Sequence, residues 1–401
     1  MLYANFFVLL QPRCCAIKTI NGLRTNKLIS IAAIVLLLGM GGRTAAQVDF
    51  SPIFTTLRLE ARADFDYLTV MDSTHTPDAY GFRGRYFNLH IGGNLGDKFS
   101  YYFRQRIVAT PGTVNLFDNT DFLYMNYMPN KNWMFRLGKD ALAVGGFEYD
   151  ASPIDVLFST HYWDNFYCFQ MSASGAFRSS DGNHMLLAQV GNSPYVYYGS
   201  FGAGSAGGEW RSGLLSYNLF WSGTFGHFKM LYSANLFERE PDVYMNYIAM
   251  GHKLTYDKWD IYLDFIHHAL STDDWGSNYA VVSCMNFLAT PALNIFVKGA
   301  YEQNRSDYAT LNIRGTVTDC LVAPQHAYLL YGAGFEYRPK SCQAVRIHGF
   351  MAGREISAYA DANGNRLDSP SVENTLEFNL GITWNMDVHK MLSERLYKIT
   401  N

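Results

Sequence analysis

The chain has 401 residues, a formal net charge of −3 and 17% charged residues, against about 25% in a typical soluble protein. Phenylalanine and tyrosine number 28 each, which suits the strands of a membrane wall, although a soluble β-sandwich also carries such a content. No linker-like run or block of charge divides the chain, so one domain is expected.

The first 46 residues have the pattern of an export signal. A basic stretch that ends at Lys27 precedes an apolar run, residues 28–40, too short for a membrane-spanning helix of about 20 residues. Small residues at 44–46 then offer a cleavage site. We therefore predict a signal peptide over 1–46, whose first 22 residues are an extension that a misassigned start codon would explain. The mature chain then holds 27 basic and 35 acidic residues, a formal charge of −8, which argues against nucleic acid as a partner.

Alternation with a period of two is clearest at the two ends of the mature chain. Apolar side chains alternate with charged ones from Leu57 to Tyr67, and with polar ones from Leu376 to Met386. One face of each strand can therefore meet lipid while the other meets water. After the signal no apolar run approaches 18 residues, so strands are expected to cross the membrane.

The connections between the predicted strands alternate in length. Tight turns lie near residues 96–98 and 129–132, whereas segments such as 141–163 and 305–325 are long. This asymmetry predicts an all-β transmembrane antiparallel barrel with short periplasmic turns and long extracellular loops. About sixteen strands are expected, a number that leaves an aqueous channel. They begin near Phe54, Gly81, Lys98, Thr120, Asn132, Asn165, Asn183, Ser212, His227, Val243, Trp259, Ser277, Leu293, Ala327, Gln343 and Asn374.

Two local features complete this plan. The barrel is predicted over residues 47–388, followed by a periplasmic tail, 389–401, with a helical spacing of apolar residues. Arg83, Arg85 and Phe87 all have odd numbers, so strict alternation would turn the two arginines outward with Phe87. Charged side chains do not suit that face, which predicts a rim position or a β-bulge at this point.

One stretch of the chain resembles a known family. Residues 135–139 (FRLGK), the glycine-containing loop 144–148 (VGGFE) and residues 155–158 (DVLF) are similar to a strand and the third loop of the phosphate-selective porin O/P family. The resemblance, which extends over most of residues 50–388, implies a homotrimeric sixteen-stranded channel in the outer membrane of a Gram-negative bacterium. It also implies that the third outer loop folds inward and narrows the pore, and that arginines and lysines in the lumen guide anions.

The resemblance implies that the constriction loop is residues 141–163. This loop would bring Glu148, Asp150 and Asp155 to the narrow part of the pore, and Lys139 lies at the end of the strand before it. The loop itself contains no lysine or arginine. A phosphate site built from loop lysines is therefore not expected.

Strand parity assigns a set of basic side chains to the pore lining. They are Arg58, Arg62, Arg104, Arg106, Arg136, Lys298, Arg346 and Arg354. Two interpretations remain open. The set forms a ladder, a row of positive charges that draws anions through the lumen, or it forms ion pairs with carboxylates on the same face, so that the polar groups of the wall have partners. The carboxylates are Glu60, Asp64, Asp66, Asp264, Glu302 and Glu377.

The function expected from these observations is passive diffusion of small hydrophilic solutes or anions through a channel in outer-membrane lipid. Two alternatives are a binding or adhesion barrel without an open pore, and a lipid hydrolase on a barrel of about twelve strands. The hydrolase would need a Ser-His pair on one outward face, which the sequence does not present. No phosphate-binding glycine loop, zinc spacing or dinucleotide fingerprint occurs, so no cofactor, metal or catalytic residue is expected.

Overall fold

The computed structural model describes residues 54–71, 78–107, 117, 119–195, 213–269, 276–305, 325–358 and 374–391. Within these ranges sixteen antiparallel strands form one closed barrel, in which each strand pairs with its sequence neighbours and the first strand pairs with the last. The predicted signal peptide and the last ten residues of the predicted tail lie outside the described residues. In the same ranges no helix has both the length and the apolar character needed to cross a membrane.

The strands follow one another around the barrel with two short helices between the fifth and sixth. The observed strand starts lie within four residues of the predicted ones, and the prediction of a sixteen-stranded barrel is confirmed. In chain order the elements are β1 Thr56–Val70, β2 Ala79–Asn94, β3 Phe99–Arg106, β4 Thr120–Tyr127, β5 Trp133–Ala141, α1 Phe147–Asp150, α2 His161–Asn165, β6 Phe169–Arg178, β7 His184–Asn192, β8 Leu215–Phe225, β9 Phe228–Glu240, β10 Val243–Tyr256, β11 Trp259–Ala269, β12 Asn278–Thr290, β13 Leu293–Asn304, β14 His326–Tyr337, β15 Val345–Ala358 and β16 Thr375–Asp387.

The alternation of side chains follows the two faces of the wall. On the outside, Val297 and Leu380 are 56% and 57% exposed, whereas the next residue along β13, Lys298, and the residue before Leu380 on β16, Asn379, are buried inside. A band of large apolar side chains around a closed barrel is the surface that a bilayer requires. At these positions the wall therefore presents apolar side chains outward and polar groups inward.

A β-bulge interrupts the pairing of β1 with β2. Arg62 pairs with Tyr86 and Ala63 with Gly84, so Arg85 has no opposite residue. The Arg85 guanidinium turns inward, to within 3.3 Å of the Asp64 carboxylate. The bulge predicted for this stretch is confirmed, and the parity of β2 changes there.

Most of the apolar core lies inside the barrel, beneath the connection between β5 and β6. This connection, residues 142–168, is here called the inner loop. Its buried side chains, including Leu142, Phe158 and Phe166, pack on inward-facing residues of β9 to β15 such as Phe237 and Phe350. Because the inner loop covers them, these inward positions are apolar, and the alternation is blurred on this side of the barrel.

Candidate channel constriction

Two glycines let the inner loop lie directly on the barrel wall. A Cβ added to Gly145 would stand 2.6 Å from the Leu231 carbonyl oxygen and 3.0 Å from that of Ala249. Gly146 has a φ of +106°, in the region that favours glycine. Gly145 therefore allows close packing of backbone on backbone, and Gly146 supplies the positive φ that follows it.

Carboxylates of the wall accept hydrogen bonds from the loop backbone. The N–H groups of Phe147 and Glu148 both donate to the Asp264 carboxylate, at 2.8 Å. At α2, the His161 N–H donates to Glu302 at 2.9 Å. Irregular backbone within a barrel needs such partners, because unpaired buried N–H groups are costly.

Basic residues of the wall donate hydrogen bonds to carbonyl groups of the same loop. Three of the residues predicted to line the pore donate to a run of loop carbonyl oxygens: Arg346 to Ile154 (3.1 Å), Arg62 to Val156 (2.9 Å) and Leu157 (3.3 Å), and Lys298 to Phe158 (2.6 Å). Their side chains are 2–6% exposed. The pore-lining prediction is therefore wrong for these three residues, which face the interior as expected but lie under the inner loop.

Beside the inner loop, a passage of about 600 Å³ remains against the opposite wall, β1 to β8. Four other predicted residues line it: Arg58, Arg104, Arg106 and Arg136. Each makes an ion pair with a neighbouring carboxylate: Arg58 with Glu60 (3.1 Å), Arg104 and Arg106 with Asp121 (2.9 and 2.7 Å), and Arg136 with Asp140 (2.5 Å). Four guanidinium groups thus share three carboxylates, and the side chains of Arg58, Arg106 and Arg136 are 22–36% exposed.

The inner loop faces this wall with the opposite sign of charge. Asp150 and Asp164 line the passage from the loop side, and residues 141–168 contain no lysine or arginine. Ser159 donates a hydrogen bond at 2.6 Å to the Asp164 carboxylate, which is exposed. Asp150 is exposed. Arginines and carboxylates therefore lie across the passage from one another.

The last predicted lining residue, Arg354, lies in a second space of about 350 Å³. Its Nη2 donates to the Ser159 carbonyl at 3.4 Å. Arg83 and Arg85 line the same space and contact Asp66, at 3.4 and 3.0 Å. Parity had not placed these two arginines in the lumen, because the bulge changes the facing of β2.

The four residues assigned to the constriction lie in different places in the structure. Glu148 is buried in an ion pair with Lys298 (2.5 Å), and Asp155 binds Arg346 (2.7 Å). Only Asp150 of the four lines the passage.

The placement of Lys139 at the constriction is wrong. On β5 it pairs with Leu123 and Met171, whose side chains are 45% and 42% exposed on the outer face. Its Nζ donates to the Phe117 carbonyl at 2.7 Å. Lys139 shares the parity of Leu137 and therefore points away from the lumen.

Aromatic side chains are the lining that sequence reasoning missed. Tyr102, Phe122 and Tyr124 line the passage, and the Arg104 guanidinium lies 4.3 Å from the centre of the Phe122 ring. The parity of Phe122 and Tyr124 was the available signal, since both fall on the face expected to be wet. In the described part of the chain, no group of three or more His, Cys, Asp and Glu side chains is arranged to hold a metal ion.

A closed sixteen-stranded wall with an inner loop beside a charged passage defines a porin, an outer-membrane diffusion channel. The family model for phosphate-selective porin O and P matches residues 55–280, more than half of the chain. The chain belongs to this family, as its sequence resemblance indicated. It resides in the outer membrane of a Gram-negative bacterium and forms a water-filled channel for passive diffusion of small hydrophilic solutes.

Solved outer-membrane proteins share the fold at low sequence identity. An anion-selective porin from Comamonas acidovorans has a TM-score of 0.56 at 9% identity, covering 82% of this chain and 99% of that one. The channel DcaP of Acinetobacter baumannii has a TM-score of 0.56 at 12% identity, with 82% and 96% covered. A trimer form of OmpT from Vibrio cholerae has a TM-score of 0.51 at 10% identity, with 82% and 99% covered. No curated protein matches the chain.

Proposed function

We propose that this porin favours small anions, acts without catalysis and assembles as a homotrimer. The observation that carries the anion preference is the row of four arginines along the passage, which share three carboxylates. Arginine stays charged at any physiological pH and binds oxyanions through a fork of donors. The excess of positive charge on this wall favours anions locally, although the mature chain as a whole is acidic.

The inner loop argues against phosphate as the favoured anion. A lysine-based phosphate site would need basic side chains on the loop, and residues 141–168 have none. Asp150 instead places a carboxylate on the loop side of the passage. We therefore expect a solute that passes easily to orient its negative charge toward the arginine wall.

The height of the wall supports the homotrimer. β3 and β4 have eight residues each, whereas β1 and β2 have 15 and 16. Eight residues extend about 27 Å along a strand, or about 21 Å in height at the usual tilt, which is less than the apolar band of about 25 Å. A neighbouring copy would cover this low side, and the fold occurs in a trimer form in OmpT of Vibrio cholerae.

The domain plan remains a proposal as well. Export would remove residues 1–46, the barrel would occupy 47–388, and a short periplasmic tail would follow. Residues 388–391 form one helical turn, as a helical tail would require.

The test of the anion preference is the reversal potential in a planar bilayer under a salt gradient. Arg104→Glu with Arg106→Glu reverses two charges in the passage and should shift the potential toward cations. Arg338→Glu with Lys340→Glu makes the same change of charge in the exposed turn between β14 and β15, and should shift it much less. An unchanged potential in the first variant would refute a selectivity role for this arginine pair. Arg104→Gln with Arg106→Gln provides a milder variant should the double reversal fail to assemble.

Liposome swelling with sugars of graded size distinguishes a porin from the alternative, a closed binding barrel. A porin should admit small sugars and exclude larger ones, whereas a closed scaffold should admit none.

A further inference from the structure

The passage combines positive charge with half-buried aromatic rings. Tyr102, Phe122 and Tyr124 face inward, half-buried, from β3 and β4. Their ring centres are 5.8 to 5.9 Å apart, so the three rings form one continuous aromatic surface, here called the ring surface. On the opposite wall, inward apolar side chains are covered by the inner loop. The ring surface is instead left beside the open passage.

Arginines lie directly on these rings. The Arg104 guanidinium is 4.3 Å from the centre of Phe122, and that of Arg136 is 3.9 Å from the centre of Tyr124. Stacking on an aromatic face holds a guanidinium plane in place and removes part of its hydration. The Nη2 of Arg104 is buried and has no hydrogen-bond partner among the described residues. A hydrogen-bond donor beside the rings is therefore left unsatisfied.

A solute that used both features would need two parts. An anionic group would accept hydrogen bonds from the arginine row, and a flat apolar group would stack on the ring surface. Inorganic phosphate and acetate could use only the first. The passage volume of about 600 Å³ lies within the range of small-molecule pockets, roughly 300–1,000 Å³, and leaves room for a single ring with its substituents.

We infer that the passage contains a binding site for small organic anions that carry a flat ring, such as aromatic carboxylates. This inference rests on the proposed anion preference and names the class of solute that the same passage favours. An aromatic contact typically contributes about twofold to tenfold in affinity, so ring-bearing anions should bind more tightly than acetate by roughly this factor or more.

The experiment measures block of the chloride current through the refolded protein in a planar bilayer. Benzoate should reduce the current at concentrations about twofold to tenfold lower than acetate does. Cyclohexanecarboxylate, which has similar apolar bulk without a flat ring, should be weaker than benzoate. The advantage of benzoate over cyclohexanecarboxylate isolates stacking from simple apolar contact.

Variants locate the effect. Phe122→Leu should remove most of the advantage of benzoate over cyclohexanecarboxylate. Phe335→Leu, on the outer face, should retain the wild-type preference. Tyr124→Leu is the second variant should the first fail to assemble.

The two proposals fail in different ways. An anion-selective current that benzoate, cyclohexanecarboxylate and acetate block equally would overturn this inference and leave the proposed anion preference intact. A benzoate preference that survives in both ring-surface variants would also overturn it, because the site would then lie elsewhere. A channel that conducts no current would overturn both.

Discussion

At the scale of single residues, the partner of an inward charge decides its role. Arg58 and Arg62 stand on the same face of β1, four residues apart. Arg58 lines the passage, while Arg62 is buried and donates to two carbonyl oxygens of the inner loop. Of the two interpretations left open by the sequence, neither describes Arg62 fully: it pairs with Asp64 at 2.8 Å, and it also holds the loop.

Gly145 offers the sharpest residue-scale prediction. Gly145→Ala would place a methyl group against two carbonyl oxygens of the wall and push the inner loop away, at a cost of about 1–3 kcal/mol. We expect noisier single-channel currents and a lower temperature for the heat-induced shift in gel migration. Gly299→Ala is the matched control, because its new methyl group would meet only one atom, the Leu330 oxygen at 3.8 Å. Equal behaviour of the two variants would contradict the close contact at Gly145.

At the scale of elements, the inner loop is an irregular segment whose backbone is satisfied by side chains of the wall. Asp264 and Glu302 accept from its N–H groups, and Arg62, Lys298 and Arg346 donate to its carbonyl groups. The acidic side chains thus bind N–H groups and the basic side chains bind carbonyl groups, at different peptide units of the same loop. This explains why so many charges inside the barrel are shielded from solvent.

Removal of part of this element tests its position. Deletion of residues 146–152 takes away Asp150 and Ser152, which line the passage, and the two N–H groups bound to Asp264. We expect the single-channel conductance to rise, because the passage widens. A deletion of equal length from the connection between β7 and β8, residues 200–206, is the control. If deletion of residues 146–152 left the conductance unchanged, this segment would lie outside the conducting path.

At the scale of the whole molecule, the wall is uneven. β3 to β7 have eight to ten residues, and their outer faces carry exposed apolar side chains such as Met125 and Leu137. A low apolar side is poorly matched to the bilayer and better matched to another protein surface. The long strands β1, β2, β10 and β15 have 14 to 16 residues, enough to cross the apolar band.

The homotrimer can be tested on this low side. Met125→Arg places a charge in the proposed contact between copies and should convert the trimer to monomer in a native gel or by light scattering in detergent. Met351→Arg makes the same substitution at a similarly exposed outward position on β15, where lipid is expected. In a bilayer either charge costs up to about 2–4 kcal/mol at mid-depth, but only the first should change the oligomeric state. Retention of the trimer in the Met125 variant would place the interface on another face.

The sequence by itself determined the wall. Alternation within each strand and the contrast between short and long connections are local properties, so the strand number and nearly every strand start could be predicted, and residue parity placed Arg58, Arg104, Arg106 and Arg136 on the inner face. Family resemblance added the inner loop. A bulge, however, changes parity at one residue, and for this reason the facing of Arg85 was visible only in the pairing of β1 with β2.

Only the tertiary structure decided which inward charges meet solute. The inner loop brings Glu148 to Lys298 and Asp155 to Arg346, contacts between residues about 150 and 190 positions apart. Parity reports only the face on which a side chain lies and carries no information about what covers that face. Because loop backbone inside a barrel must find hydrogen-bond partners wherever the wall offers them, coverage depends on the folded path of the loop and on no local pattern in the sequence.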